Sequence, residues 1–403
     1  MGALSSTEQA AVEAASAEPM LAQVESWAAV NSGTGNLEGL EAMAGLLADA
    51  YSALPGELEL EEAASVEAVD PDGSKRSICY GRNLHLTVRP EAPVQLLLTG
   101  HMDTVFAKDH AFQALTWLEP GRVLGGPGVA DMKGGIAVML AALKAVEANS
   151  GRGAFGYEVV INSDEETGSA GSAALIAQAA QAKRAALTYE PAALPDGTLA
   201  GARPGSGNFS FVIKGRSAHA GRNPEDGRNA VVAAAELALR LAHSKTPGLS
   251  INPAKIDGGS PNNVVPDHAI LRANLRPLTG DDQEIAQRLI ANAVEQVAKE
   301  HDVYVEVHGG FGRPPKPMTG EAEVLFHLVR KAGADLGQAI DWQPTGGVCD
   351  GNNIAACGVP VVDTMGVRGG KIHSMEEYLI VESLAERAAL SALTILRLAG
   401  GGA

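Results

Sequence analysis

Two imidazoles and five carboxylates, scattered over five short segments, form the most informative residue set in this chain. The segments are GHMDT (Gly100 to Thr104), GVADMKGG (Gly128 to Gly135), SDEETGS (Ser163 to Ser169), TYEP (Thr188 to Pro191) and KIHS (Lys371 to Ser374). They supply His101, Asp103, Asp131, Glu165, Glu166, Glu190 and His373. Nitrogen and oxygen donors of this kind suit zinc or a similar divalent ion. One tetrahedral ion cannot use so many donors, so the count points to two ions sharing a bridging carboxylate. The chemistry of such a pair is activation of water for hydrolysis.

Each residue also has a plainer reading. His101 and Asp103 fit an exposed polar loop, and Asp131 fits a helix N-cap between glycines that let backbone approach closely. Glu165 and Glu166 fit a solvated loop, on which neighbouring like charges are tolerated. Beside metal ions they divide the work: one binds metal and the other carries protons. Glu190 and His373 are ordinary surface residues when taken singly. Joint placement carries the argument, because nearly every candidate falls just past the carboxyl end of an expected strand, where open α/β sheets gather ligands.

Those strands are expected at Val94 to Thr99, Tyr157 to Asn162, Ala185 to Tyr189 and Val359 to Thr364. Helices are expected over Met1 to Leu54 with a turn at Asn31 to Asn36, then over Met132 to Asn149 and Ser172 to Ala182. Strands alternating with helices predict an α/β catalytic domain with a mostly parallel sheet flanked by helices. Residues 206–312 read differently. Strands at Asn208 to Lys214, Ser250 to Ile256, His268 to Leu275 and Val303 to His308 alternate with helices at Glu225 to Ser244 and Asp281 to His301. That βαββαβ order is the order of a ferredoxin-like α+β unit. The expected organisation is a catalytic domain formed by residues 1–205 and 313–403, interrupted by a lid or dimerisation domain at 206–312. Within that insert, His219 reads as a partly buried structural histidine or as a donor to a developing oxyanion. Asn263 reads as holding a turn before Pro266. Arg276 is solvated at a strand end or pairs bidentately with a substrate carboxylate.

Bulk properties narrow the partners. The 403 residues exceed what one core usually supports, and the formal charge of −17 is spread along the chain. That balance disfavours nucleic acid and anionic membrane surfaces, which reward a basic face. No apolar run is long enough to span a bilayer, and no Lys or Arg precedes Lys75, which argues against a secretory or mitochondrial leader and for a cytoplasmic location. The MGALSS start matches an acylation pattern at Gly2 that we read as incidental. Cys79, Cys349 and Cys357 lack zinc-ribbon or redox spacing and are expected as reduced, packed thiols, Cys349 near the site residues.

The segments GHMDTVF, GPGVADMKGG, SDEETGS, YEP, GRSAHAGRNPEDGRNA and GGKIHSMEEY, in that order, resemble the co-catalytic zinc metallopeptidase family. That family includes bacterial glutamate carboxypeptidase of the folate-cleaving type, the aminoacylases, acetylornithine deacetylase and succinyl-diaminopimelate desuccinylase. The HMDTVF wording and the NVVP segment followed by Arg276 lie nearest the glutamate carboxypeptidase branch. The resemblance implies two zinc ions bridged by Asp131, with His101 and Glu190 completing one site and Glu166 and His373 the other. It further implies that Asp103 orients His101, that Glu165 is the general base, and that His219 reaches the active site of a partner subunit in a homodimer. Asn263 and Arg276 are implied to hold the free carboxylate of a small or short-peptide substrate. Gly125 departs from the tyrosine that relatives often carry there. Two enzymatic readings stay open, a carboxypeptidase and an N-acyl-amino-acid deacylase. A non-catalytic zinc-binding scaffold is a third, which the retention of Glu165 disfavours.

Overall fold

A computed structural model describes residues 4–149, 155–244 and 246–400; Gly2 lies outside the described residues. The central sheet has six strands in the order Glu57–Glu61, Asn83–Val88, Gly156–Asn162, Gln95–His101, Ala185–Thr188, Val361–Val362. The last four run parallel to one another, and Asn83–Val88 is antiparallel to both of its neighbours. The sheet is therefore mostly parallel, as its long apolar runs predict for strands covered on both faces.

Alternation along these strands builds two cores. Leu96, Leu98, Val159, Ile161, Ala185 and Leu187 point to one face and join the larger core. Leu97, Val160 and Ala186 point to the other, against Ile176 and Ile354. Helices Ser6–Ala17, Gly135–Asn149 and Glu382–Ala399 pack together on the first face, and Ala173–Ala179 and Asp350–Ala356 lie on the second. A third core has its buried residues between 209 and 297, with Val303, Val305 and Phe311 packed against them. There an antiparallel sheet of order Leu249–Gly258, His268–Pro277, Ser206–Lys214, Tyr304–Arg313 packs against helices Ala230–His243 and Gly280–His301. Phe211, Ile213, Leu237, Leu241, Leu271 and Leu275 are buried in it.

Several boundaries move for local reasons. The N-terminal helical stretch is three helices, Ser6–Ala17, Met20–Ala28 and Leu37–Tyr51, the second entered at Pro19 and the third capped by the Asn36 side chain. The expected helix from Glu225 begins at Ala230, where the Asn229 side chain accepts from Val231 and Val232 N–H. The expected strand from Val359 shrinks to Val361–Val362, since Pro360 has no N–H to donate. Of the three free thiols only Cys349 is packed inside; Cys79 and Cys357 are exposed. Among the described residues no helix is long and apolar enough to cross a membrane.

His85 ties the antiparallel edge to the strand that leads into the site. Its Nδ1 lies 2.6 Å from Glu61 and its Nε2 2.8 Å from Glu158, which also pairs with Lys183 at 2.6 Å. Both ring nitrogens face carboxylate oxygens, so only the doubly protonated imidazolium satisfies both contacts. Burial opposes that charge, yet the hydrogen bonds to Glu158 and Glu61 outweigh burial and raise the His85 pKa above its ordinary value. The resulting stability is fully present below the ordinary histidine pKa and is lost as pH rises through the raised folded value. Urea unfolding of His85→Gln should therefore match wild type at alkaline pH and fall short of it at mildly acidic pH. A constant gap at every pH would show that His85 contributes by packing alone.

Candidate metal centre and active site

Sheet order brings the site together. Gly156–Asn162, Gln95–His101 and Ala185–Thr188 are neighbours, and their carboxyl ends carry Glu165 and Glu166, His101 and Asp103, and Glu190. His101 is the last residue of the middle strand, and both it and Asp103 are almost completely buried. The exposed-loop reading of this pair therefore fails. Asp103 accepts hydrogen bonds from Thr34 Oγ1 at 2.7 Å, Glu165 N–H at 3.1 Å and Glu166 N–H at 3.2 Å. His101 Nδ1 lies 3.0 Å from the Asp103 backbone carbonyl and 3.3 Å from Asp103 Oδ1, so the carboxylate braces both glutamate N–H groups and the same residue's carbonyl faces the histidine.

Asp131 enters from a kinked turn. The expected helix from Met132 becomes regular only at Gly135, because Asp131 and Met132 hold non-helical dihedrals. Gly135 is required for a different close approach from the one expected. A Cβ there would stand 1.9 Å from the Tyr189 carbonyl, so its absence lets the turn pack against the segment carrying Glu190.

His373 is delivered by a small sheet that the sequence reading missed, of order Gly369–Gly370, Tyr378–Ile380, Val123–Gly125, Thr116–Glu119. Tyr378 pairs with Gly125 and Ile380 with Val123, which fastens the His373 loop to the strand just before the Asp131 turn. His373 itself holds a φ of 61°, in the left-handed region, a conformation that persists where surrounding structure dictates it.

The contacts centre on Asp131. Its Oδ1 lies 3.1 Å from His101 Nε2, and its Oδ2 lies 3.2 Å from His373 Nε2. Glu190 stands 3.7 Å from His101 Nε2, and Glu166 stands 3.1 Å from His373 Nε2. Two donors of one tetrahedral ion with bonds of about 2.0–2.1 Å stand roughly 3.3–3.4 Å apart, so these separations fit shared ions. Donor atoms of His101, Glu165 and Glu190 fall within 4.8 Å of one another, as do those of His101, Asp131 and Glu166. His101 belongs to both groups, and His373 stands beyond them on the far oxygen of Asp131.

Electrostatics point the same way. Burial pushes Glu165 and Glu190 up to about 8 and, with the Asp131 charge, Glu166 up to about 7. The carboxylates Asp131 and Glu166 push His373 up to about 11. Burial also raises Asp131, but His101 and His373 outweigh it and hold that carboxyl well below its usual range. So many buried acids in one place call for added positive charge, and divalent cations provide it.

The insert residues sit apart. His219 and Asn263 are exposed, joined through the His219–Val264 bridge and the Ala220 N–H to Asn263 carbonyl bond of 2.9 Å. Exposure rules out the partly buried reading of His219. Among the described residues, no hydrogen bond or ion pair links either one to the Asp131 cluster. Arg276 donates to the Gly346 carbonyl at 2.9 Å and to Asn274 Oδ1 at 3.1 Å, which bridges the insert to the loop before Asp350.

One residue that the sequence did not single out touches Glu165 directly. Arg313, the last residue of the insert's final strand, is 3 % exposed and donates to Glu165 Oε1 at 2.7 Å. It also pairs with Asp350 and donates to Ser169 at 2.9 Å. Nearby, Asp363 is shared by Arg203 at 2.8 Å and Lys316 at 3.0 Å, both from the two chain crossings into the insert. Arg203 and Lys316 are hydrogen-bonded to each other through their backbones.

A buried nitrogen and oxygen donor cluster at the carboxyl ends of a parallel sheet, with a glutamate beside it, defines a metallohydrolase. The comparisons make the class specific. A match to the family described as Peptidase family M20/M25/M40 spans residues 97–397, and the chain belongs to that family. It is 31 % identical over 385 residues to carboxypeptidase G2 from Pseudomonas sp. (strain RS-16), covering 92 % of this chain and 87 % of that one. Among solved structures, a tripeptidase from Staphylococcus aureus subsp. aureus Mu50 superposes with a TM-score of 0.71 at 23 % identity, covering 98 % and 99 % of the two chains. The di-peptidase Dug1p from Saccharomyces cerevisiae superposes with a TM-score of 0.72 at 13 % identity, covering 98 % and 99 %. The protein is thus a metal-dependent peptidase or amidohydrolase.

Proposed function

We propose that this enzyme uses two divalent metal ions, zinc first among them, to hydrolyse an amide next to an amino acid that bears a free carboxylate. One observation carries the reading: the two oxygens of Asp131 face two different imidazoles, His101 and His373. Asp131 is assigned to both ions, His101 and Glu190 to one, and His373 and Glu166 to the other. When bound, the ions lower the pKa of water and polarise the amide carbonyl.

The chain's own groups do the rest. Glu165 takes a proton from the attacking water and passes it to the departing amine. Arg313 fixes its carboxylate through a direct hydrogen bond to Oε1. Asp103 orients His101 from behind. His219 is assigned to the oxyanion in the active site of a second subunit, a role supported by its exposure and its separation from its own cluster. That role makes residues 206–312 a ferredoxin-like dimerisation domain.

Asn263 and Arg276 are assigned to the substrate carboxylate. Arg276→Ala should lower kcat/KM on free-acid substrates by about 10- to 100-fold, the worth of a charged hydrogen bond, and leave amidated analogues unchanged. Equal losses on both would remove the assignment.

Amino-acid release by the zinc-loaded protein tests the whole reading, on N-acetyl amino acids, dipeptides and N-aroyl-glutamates with and without chelator. Chelator-sensitive release is expected, and the best substrate separates carboxypeptidase from deacylase. Two bound ions without release from any substrate would overturn the reading.

A further inference from the structure

Glu377 is 1 % exposed and forms no ion pair among the described residues, a costly position for a carboxylate. Its partners explain why it is there. Oε1 accepts from the Ala130 and Asp131 N–H groups, each at 3.0 Å, and Oε2 accepts from Gly128 N–H at 3.1 Å. Its backbone carbonyl takes the Gly126 N–H at 3.2 Å. Pro127 has no N–H, and Val129 bonds within the turn to Gly126. Every other backbone donor from Gly126 to Asp131 therefore ends on Glu377. At the other end, Glu377 N–H donates to the Ser374 carbonyl at 3.2 Å, closing a turn that begins beside His373.

We propose that Glu377 is a positioning residue that sets Asp131 in register with His373, so that the two Asp131 oxygens serve two ions at once. The inference rests on the two-ion reading above. Only an ionised carboxylate accepts on both oxygens without presenting a donor, which the three converging N–H groups require. Glutamine keeps the shape but turns an NH₂ toward at least one of those donors. A purely structural acid would support the turn with no preference for either ion. A register device acts on the ion shared with His373, because that is the contact it adjusts.

Cobalt(II) titration of the full-length metal-free protein tests this, read by calorimetry and by visible absorption. In Glu377→Gln one ion should bind as in wild type and the other about 10- to 100-fold more weakly, with an altered cobalt spectrum. Glu377→Asp keeps the charge and should recover part of that affinity. Wild-type isotherms and spectrum for Glu377→Gln would overturn the proposal. If Glu377→Gln does not fold, Glu377→Asp decides: a shifted spectrum supports the role and a wild-type spectrum overturns it. Fewer than two ions on the wild-type protein would instead remove the two-ion reading, and the role of Glu377 with it.

Discussion

Glu165→Ala should abolish turnover while leaving the metal content of the protein intact. The proposed mechanism asks this one carboxylate for two proton transfers, each worth ~10²- to 10⁴-fold, so kcat should fall by at least ~10⁴. Metal content should hold because the Asp131, His101, Glu190, Glu166 and His373 contacts do not run through Glu165. The fold should survive as well. Arg313 loses one carboxylate but keeps Asp350, Ser169 and Asn353. KM should stay close to wild type, since the lost interaction is made only as the proton moves. Single-turnover kinetics on the best substrate, with metal analysis of the same preparation, checks both halves. Activity within tenfold of wild type would transfer the proton work to another group. Loss of metal alongside activity would make Glu165 a ligand, a possibility raised by its place within 4.8 Å of His101 and Glu190 donors.

The parts of this site that could be read from sequence share a physical cause. Strands buried on both faces are written as apolar runs, and the residue that ends such a run is conspicuous; His101 and Glu190 were found that way. What could not be read was which strands lie side by side. Placing Gly156–Asn162 and Ala185–Thr188 on either side of Gln95–His101 is a matter of tertiary pairing, and it alone brings Glu166 and Glu190 within reach of His101. The sheet that delivers His373 is built from strands of two to four residues, two of them made of or ending in glycine, too short to show a period of two. Glu377 stood in plain sight four residues after His373. Its role depends on the backbone N–H groups of a turn some 250 residues earlier, which no local pattern encodes. Arg313 is the clearest case. An arginine at the end of an amphipathic strand is normally solvated, and only the acids Asp350 and Glu165, one of them far away in the chain, make its burial tolerable.

That burial sets the largest expected effect on stability. Arg313→Met keeps most of the side-chain volume but strips the cation from two buried carboxylates, Glu165 and Asp350, which are 10 % and 3 % exposed in their side chains. Breaking a buried ion pair from one side typically costs about 3–5 kcal/mol, because the surviving charge stays desolvated. Asp350 keeps donors in Asn162 Nδ2 at 2.8 Å and Ser169 Oγ at 2.6 Å, which limits its share of the loss. Among the described residues Glu165 keeps no comparable side-chain donor, and it carries the rest. Adding Asp350→Asn to Arg313→Met removes one orphaned charge, so the double variant should be more stable than Arg313→Met alone. Intrinsic fluorescence during urea unfolding reads this cleanly. Trp27, Trp117 and Trp342 all lie outside residues 206–312, so the signal follows the core that holds the site rather than the insert. A loss under about 1 kcal/mol, the level of an exposed pair, would mean that water reaches Glu165 and Asp350 freely. In that case Arg313 would not fix the base, and kcat in Arg313→Met should stay at the wild-type level. A loss in the buried range with a parallel fall in kcat would instead tie the insert's last strand to the chemistry, because that strand ends on the residue that holds Glu165 in place.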